Sequence, residues 1–159
     1  MANDREQELA FERFVREVEP RLRRALVAAY GPQAGRDAAV DALAWAWSNW
    51  ARVERLDNPA GYLYRVGQTK AREGRRPLRV VTPEVVTGGD GTPWVEPSLE
   101  PALLALSEHQ RVAVVLCHGF EWTHREVAEL LDLSPSTVQN HVERGLANLR
   151  RALEVSNDV

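Results

Sequence analysis

The chain has 159 residues, a hydrophobic fraction of 44%, a charged fraction of 27% and a formal net charge of −3. These values fit one globular domain or two small lobes. No apolar run approaches the ~18 residues of a membrane span, so no membrane insertion is expected. The opening MANDREQELAFERF carries acids from the start and no apolar core, so no secretory signal is expected. The lone Cys117 has no internal disulfide partner and suits a reducing cytoplasm. Cys117, His118 and His124 lack zinc-ligand spacing, and no nucleophile–base set or carboxylate pair stands out. No metal, no cofactor and no enzymatic activity are therefore expected.

The first half reads as three packed helices. Phe11, Phe14, Val15, Val18, Leu22, Leu26 and Val27 recur at spacings of three and four. Pro20 is expected to kink or restart this helix, and Gly31-Pro32 to end it. A second helix is predicted over 36–54, with Val40, Leu43, Ala44, Trp47, Trp50 and Ala51 as its apolar stripe. Trp45 lies off that stripe and is the better tryptophan for a partner surface. Asn58-Pro59 opens a third helix, asparagine as cap and proline at the first position. Tyr62, Leu63 and Val66 supply its inward face, and Arg65, Arg72 and Arg76 share one side.

Charge then changes sign along the chain. Residues 61–82 carry Arg65, Lys70, Arg72, Arg75, Arg76 and Arg79 against Glu73, a net of +5. Residues 83–108 carry Glu84, Asp90, Glu96, Glu100 and Glu108 with no Lys or Arg, a net of −5. The stretch 77–101 holds five prolines and three glycines and reads as a flexible acidic linker, with Trp94 as its one large anchor. Helix resumes after Ser107, whose capping box partner is Gln110, and His118-Gly119 closes it.

Residues 123–151 are the most informative. Thr123 caps a helix, Glu126 completes its capping box, and Val127, Ala128 and Leu131 mark an apolar face. Asp132-Leu133-Ser134 makes a turn. Ser134 caps the next helix, and Pro135 takes its first position. Val138, Val142, Gly145 and Leu149 form one stripe, while Ser136, Gln139, Asn140, Glu143 and Arg144 fall opposite. Amides can bond adenine edges bidentately, and arginine can take guanine or phosphate. The stretch reads as a helix-turn-helix with a presentable recognition helix, although two capped core helices with a solvated outer face would give the same pattern.

The order of these parts resembles a small bacterial sigma factor of the extracytoplasmic-function class, which keeps only regions two and four. Asp37-Ala38-Ala39-Val40-Asp41-Ala42-Leu43 is similar to the helix that docks on the polymerase β′ clamp. Asn58 to Val66 is similar to the segment that opens the downstream promoter element. Leu106 to Leu116 resembles the start of region four, and Ser134 to Leu149 its recognition helix. The resemblance implies an all-α fold with a region-two-like lobe over 5–76, the linker 77–101 and a region-four-like lobe over 102–155. It implies core RNA polymerase and promoter DNA as partners, with an anti-sigma factor as a further one, and a cytoplasmic location. DNA contact falls to Ser136, Thr137, Gln139, Asn140 and Arg144, and to Asn58, Tyr62, Arg65, Lys70, Arg72 and Arg76. Polymerase contact falls to Asp37, Asp41 and Trp45. The rings of Tyr62 and Tyr64 could stack unpaired bases or pack in the core. The sequence departs from the family at Gln68-Thr69, where Arg-Asn is common, and at Gln139, His141 and Glu143, where Lys and Arg are usual. Two other readings stay open: a stand-alone helix-turn-helix regulator, and a sigma-like protein that binds polymerase but reads no promoter.

Overall fold

A computed structural model describes residues 1–74 and 98–157. All regular structure among them is helical. The chain order is α1 (Ala2–Tyr30), α2 (Pro32–Ser48), the short α3 (Trp50–Val53), α4 (Pro59–Gly74), α5 (Leu99–Leu104), α6 (Glu108–Val114), α7 (His124–Leu131) and α8 (Pro135–Asn157). Helices α1, α2 and α4 pack into one lobe, and α6, α7 and α8 into another. Most of the expected linker, with Trp94, Arg75, Arg76 and Arg79, lies outside the described residues. Its last positions do not: Leu99, Glu100 and Pro101 open α5. Pro101 is tolerated there because first-turn N–H groups have no helical partner to lose.

Helix α1 runs unbroken through Pro20, where a kink or restart was expected. Buried Val18 and Leu22 flank the proline and hold both halves on one core. Gly31, at φ 92°, turns the chain, and Pro32 starts α2 four residues earlier than the hydrophobic pattern suggests.

The buried face of α2 is not the large apolar stripe read from the sequence. It consists of Gly35, Ala38, Ala39, Ala42 and Ala46, set against Ala25, Ala28 and Ala29 of α1 in the shared core. The helices approach so closely that a Cβ on Gly35 would sit 2.5 Å from the Cα of Val27. This rotation leaves Val40 65% and Trp47 46% exposed. Trp50 alone of the three tryptophans is buried, packed on Phe11 and Phe14. Helix α2 ends at Asn49, whose side-chain amide donates to the Trp45 carbonyl at 2.9 Å.

In the second lobe the predicted caps form. Ser107 and Gln110 make the full capping box of α6. That helix passes into a π turn over Val115–Gly119. Thr123 accepts from the Glu126 N–H at 3.1 Å. The reciprocal half of that box differs: the Glu126 carboxylate accepts a hydrogen bond from the Thr123 hydroxyl at 3.2 Å and faces Arg21 across the lobes at 3.6 Å.

The two lobes share one continuous core, with α1 against α6 and α4 against α7. Arg111 of α6 is 4% exposed. It donates to the carbonyls of Ala28 at 3.1 Å and Ala29 at 2.8 Å, and to Leu106 of its own lobe at 3.1 Å. Those α1 carbonyls belong to the last turn, which has no helical donors of its own. A cation there also complements the helix dipole. Arg111 thus caps α1 across the lobe boundary.

Candidate nucleic-acid interface

The recognition helix α8 is set by its turn. Asp132 takes the left-handed conformation at φ 56°, and the Leu133 N–H returns to the Ala128 carbonyl at 2.9 Å. The Ser134 hydroxyl then accepts from the Thr137 N–H at 3.2 Å, as expected of a cap before Pro135. Val138, Val142, Gly145 and Leu149 face inward. A Cβ on Gly145 would meet Val114 at 2.6 Å, so this glycine sets how closely α8 lies on α6.

The outer face carries Ser136, Gln139, Asn140 and Arg144, all exposed, with Thr137 half-buried beside them. The Gln139 amide donates to Glu143 at 3.1 Å one turn on, which holds it along the helix rather than outward. His141 lies edge-on to His109 with ring centroids 5.3 Å apart. Burial, His109 and Arg144 lower its pKa.

Helix α4 carries the second group. Asn58 caps it by accepting from the Gly61 N–H at 3.0 Å. Its amide nitrogen meanwhile donates to the Glu129 carbonyl of α7 at 2.6 Å. Arg65 pairs with Asp132 at the turn of the helix-turn-helix, and Arg72 faces Glu108 at 3.7 Å. Lys70 lines a cavity of about 220 Å³ with Asp37 and Asp41. Arg76 lies outside the described residues.

The two tyrosines separate. Tyr64 is 1% exposed and belongs to the core, which excludes the base-stacking role offered by the sequence. Burial raises the pKa of its hydroxyl. Tyr62 is half-buried, its ring on Trp45 at 5.4 Å, and its hydroxyl accepts from Arg52 at 3.2 Å. Trp45 is therefore partly covered by Tyr62, whereas Trp47 is the more open ring of α2.

The structure brings Asp37 and Asp41 to one exposed side of α2, beside Val40 and Ala44. It brings Asn58 and Arg65 against α7. Glu108, which sequence reasoning left as an ordinary acid, proves to be a meeting point. It accepts from the Tyr30 hydroxyl and from the Gln68 amide, each at 2.9 Å, and faces Arg72. Burial and Glu108 push the Tyr30 hydroxyl up to about 12. No sequence signal marks this convergence, because the four residues come from three separate helices.

Two helical lobes, the second carrying a capped helix-turn-helix with an exposed outer face on α8, make up the fold. Residues 98–149 match the family model for sigma-70, region 4. The whole fold is similar to that of the sigma factor RpoE of Bartonella quintana, solved with the anti-sigma factor NepR. The TM-score is 0.62 at 20% identity, over 92% of this chain and 98% of that one. No curated protein matches the sequence. Among the described residues no helix is long and apolar enough to cross a membrane, and no three His, Cys, Asp or Glu side chains group to hold a metal ion.

Proposed function

We propose that this chain is a sigma factor of the extracytoplasmic-function type, which binds core RNA polymerase, recognises promoter DNA and supports initiation in the cytoplasm. Residues 5–76 and 102–155 are its two lobes, joined by the acidic linker. The observation that carries the reading is a region-four helix-turn-helix whose recognition helix exposes Gln139, Asn140 and Arg144. These residues, with Ser136 and Thr137, read the upstream element. Asn58, Tyr62, Arg65, Lys70, Arg72 and Arg76 engage the downstream element, the cations on phosphate and Tyr62 on an unpaired base.

Polymerase contact falls on the exposed side of α2. Asp37 and Asp41 meet a basic surface, and Val40, Ala44 and Trp47 supply apolar contact beside them, with Trp45 at the edge. An anti-sigma factor is a further partner, supported by the similar structure being a complex with one. Run-off transcription with core polymerase and a promoter library tests the reading. Promoter-dependent transcripts are expected; none from any template would overturn it. The exposed Gln139–Glu143 pair favours one alternative, a polymerase-binding protein without base readout, for which transcripts would show no base preference at the upstream element.

A further inference from the structure

We propose that His109 of α6 and His141 of α8 form a two-histidine site for a divalent transition metal of the zinc or copper class, at the seam that seats the recognition helix. The two imidazoles meet edge to face with ring centroids 5.3 Å apart. Gly145 brings them together: its missing Cβ lets α8 lie close on Val114 and Gln110 of α6. Along the same seam the Asn148 amide donates to the Gln110 side chain at 3.4 Å. Both histidines are half-buried, so solvent and ions reach them. Among the described residues no hydrogen bond or ion pair engages a nitrogen of either ring.

The spacing matches a chelate. A zinc–imidazole bond is about 2.0–2.1 Å, so the metal stands about 3.2 Å from each ring centre once the ~1.15 Å from nitrogen to centre is added. Two such arms at the tetrahedral angle put the ring centres about 5.2 Å apart, against the 5.3 Å found. The centre of an imidazole lies close to its Cβ–Cγ axis. Each ring can therefore turn to aim a nitrogen at the shared point with little change in that spacing, and neither helix has to move. Imidazole suits zinc, copper and nickel, whereas magnesium and calcium take oxygen, so the ligands set the class of metal. Two protein ligands leave the other positions to water. Arg144 acts electrostatically on His141, and a cation there opposes the metal, so the site is weaker than a structural zinc centre. Bound metal ties α8 to α6 and adds positive charge beside Asn140 and Arg144. None of this depends on the sigma reading.

The test titrates the untagged full chain with Zn²⁺ by calorimetry and follows the urea midpoint with and without the metal. A single equivalent should bind, and the midpoint should rise with it. His109→Ala and His141→Ala should each weaken binding at least ~10-fold, the low end for loss of even an outer-shell partner. His141→Phe keeps an aromatic ring against His109 and removes the ligand. It should lose the metal while its circular dichroism stays that of the wild type. Arg144→Ala should tighten the site by removing a nearby cation. His118→Ala with His124→Ala removes the other two histidines of the chain and should leave binding unchanged. Mg²⁺ should not compete. With Cu²⁺, electron paramagnetic resonance should show two imidazole nitrogens on the metal in the wild type and fewer in His141→Phe.

No binding of Zn²⁺ or Cu²⁺ by the wild type would overturn the site. So would binding that survives both alanine variants, or binding lost with His118 and His124, since either places the metal elsewhere. If the alanine variants fail to fold, His141→Phe decides in their place. Run-off transcription scores the sigma reading separately, and its failure leaves the metal titration intact.

Discussion

Replacing Arg111 with methionine should uncouple the two lobes. Methionine keeps much of the length and volume, so the loss is of charge and hydrogen bonds rather than of packing. Three bonds at 3.1, 3.1 and 2.8 Å go to backbone carbonyls. Bonds from a charged donor are worth about 1.5–3 kcal/mol each. Against that stands the cost of holding a guanidinium at 4% exposure, which burial expresses as a lowered pKa and which offsets several kcal/mol. The carbonyls of Ala28 and Ala29 would be left without a donor at the end of α1. A net loss of ~2–4 kcal/mol follows. With a urea slope of ~2 kcal/mol per molar, the midpoint falls by ~1–2 M. The cross-lobe bonds are two of the three, so the loss is mainly of coupling. Urea unfolding followed by circular dichroism and by tryptophan fluorescence should coincide in the wild type and separate in Arg111→Met. Arg111→Lys should fall between, since an ammonium lacks the planar fork that spans three acceptors. A single coincident transition at the wild-type midpoint would show that Arg111 does not couple the lobes.

Four further outcomes are expected. Asp37→Lys with Asp41→Lys should weaken capture of core polymerase without changing the circular dichroism, because both side chains are exposed; unchanged capture would remove α2 from the polymerase surface. Alanine at Gln139, Asn140 or Arg144 should cost ~1–3 kcal/mol where a bidentate base contact is lost, seen as relaxed preference at one base pair of a randomised upstream element. Gly145→Ala should destabilise the second lobe by ~1–3 kcal/mol as the new methyl meets Val114, measured as a lower urea midpoint. Tyr30 and Tyr64 both ionise later in the folded chain, Tyr30 near 12 against an ordinary 10. Their contribution to stability is therefore complete below pH 10 and declines above it, that of Tyr30 being lost as pH rises through 12. Urea midpoints between pH 9 and 12 should fall less steeply in Tyr30→Phe.

The second lobe was legible because its signals are local. Ser107 with Gln110, Thr123 with Glu126, and Ser134 ahead of Pro135 each act within one turn, and each cap forms. Val138, Val142 and Leu149 face inward because α8 packs on one side only, so its periodicity has one solution. Helix α2 was misjudged for a physical reason. Reading large apolar residues as the inner face assumes that burial follows hydrophobicity. Here a seam of Gly35 and four alanines lets two backbones close on each other, and close approach outweighs the larger side chains. Val40 and Trp47 are left outside by that choice, and this is what makes α2 a candidate partner surface.

The lobe junction was not legible at all. Arg65 and Asp132 are 67 residues apart, Asn58 and Glu129 71, Tyr30 and Glu108 78, and Arg111 and Ala28 83. A pair so distant leaves no periodicity, and each residue alone reads as a solvated charge or a cap. Asn58 makes the point within one side chain. Its carbonyl oxygen does the capping that the sequence predicts, while its amide nitrogen reaches the other lobe. The same holds for Asp132, whose backbone makes the turn and whose carboxylate takes Arg65. A residue fixed by a local backbone need still has a free end. Where two lobes pack, those free ends can join them, as Asn58 and Asp132 do here. Sequence reading gives Asn58 and Asp132 one local task each, and only the fold shows that both also join the two lobes.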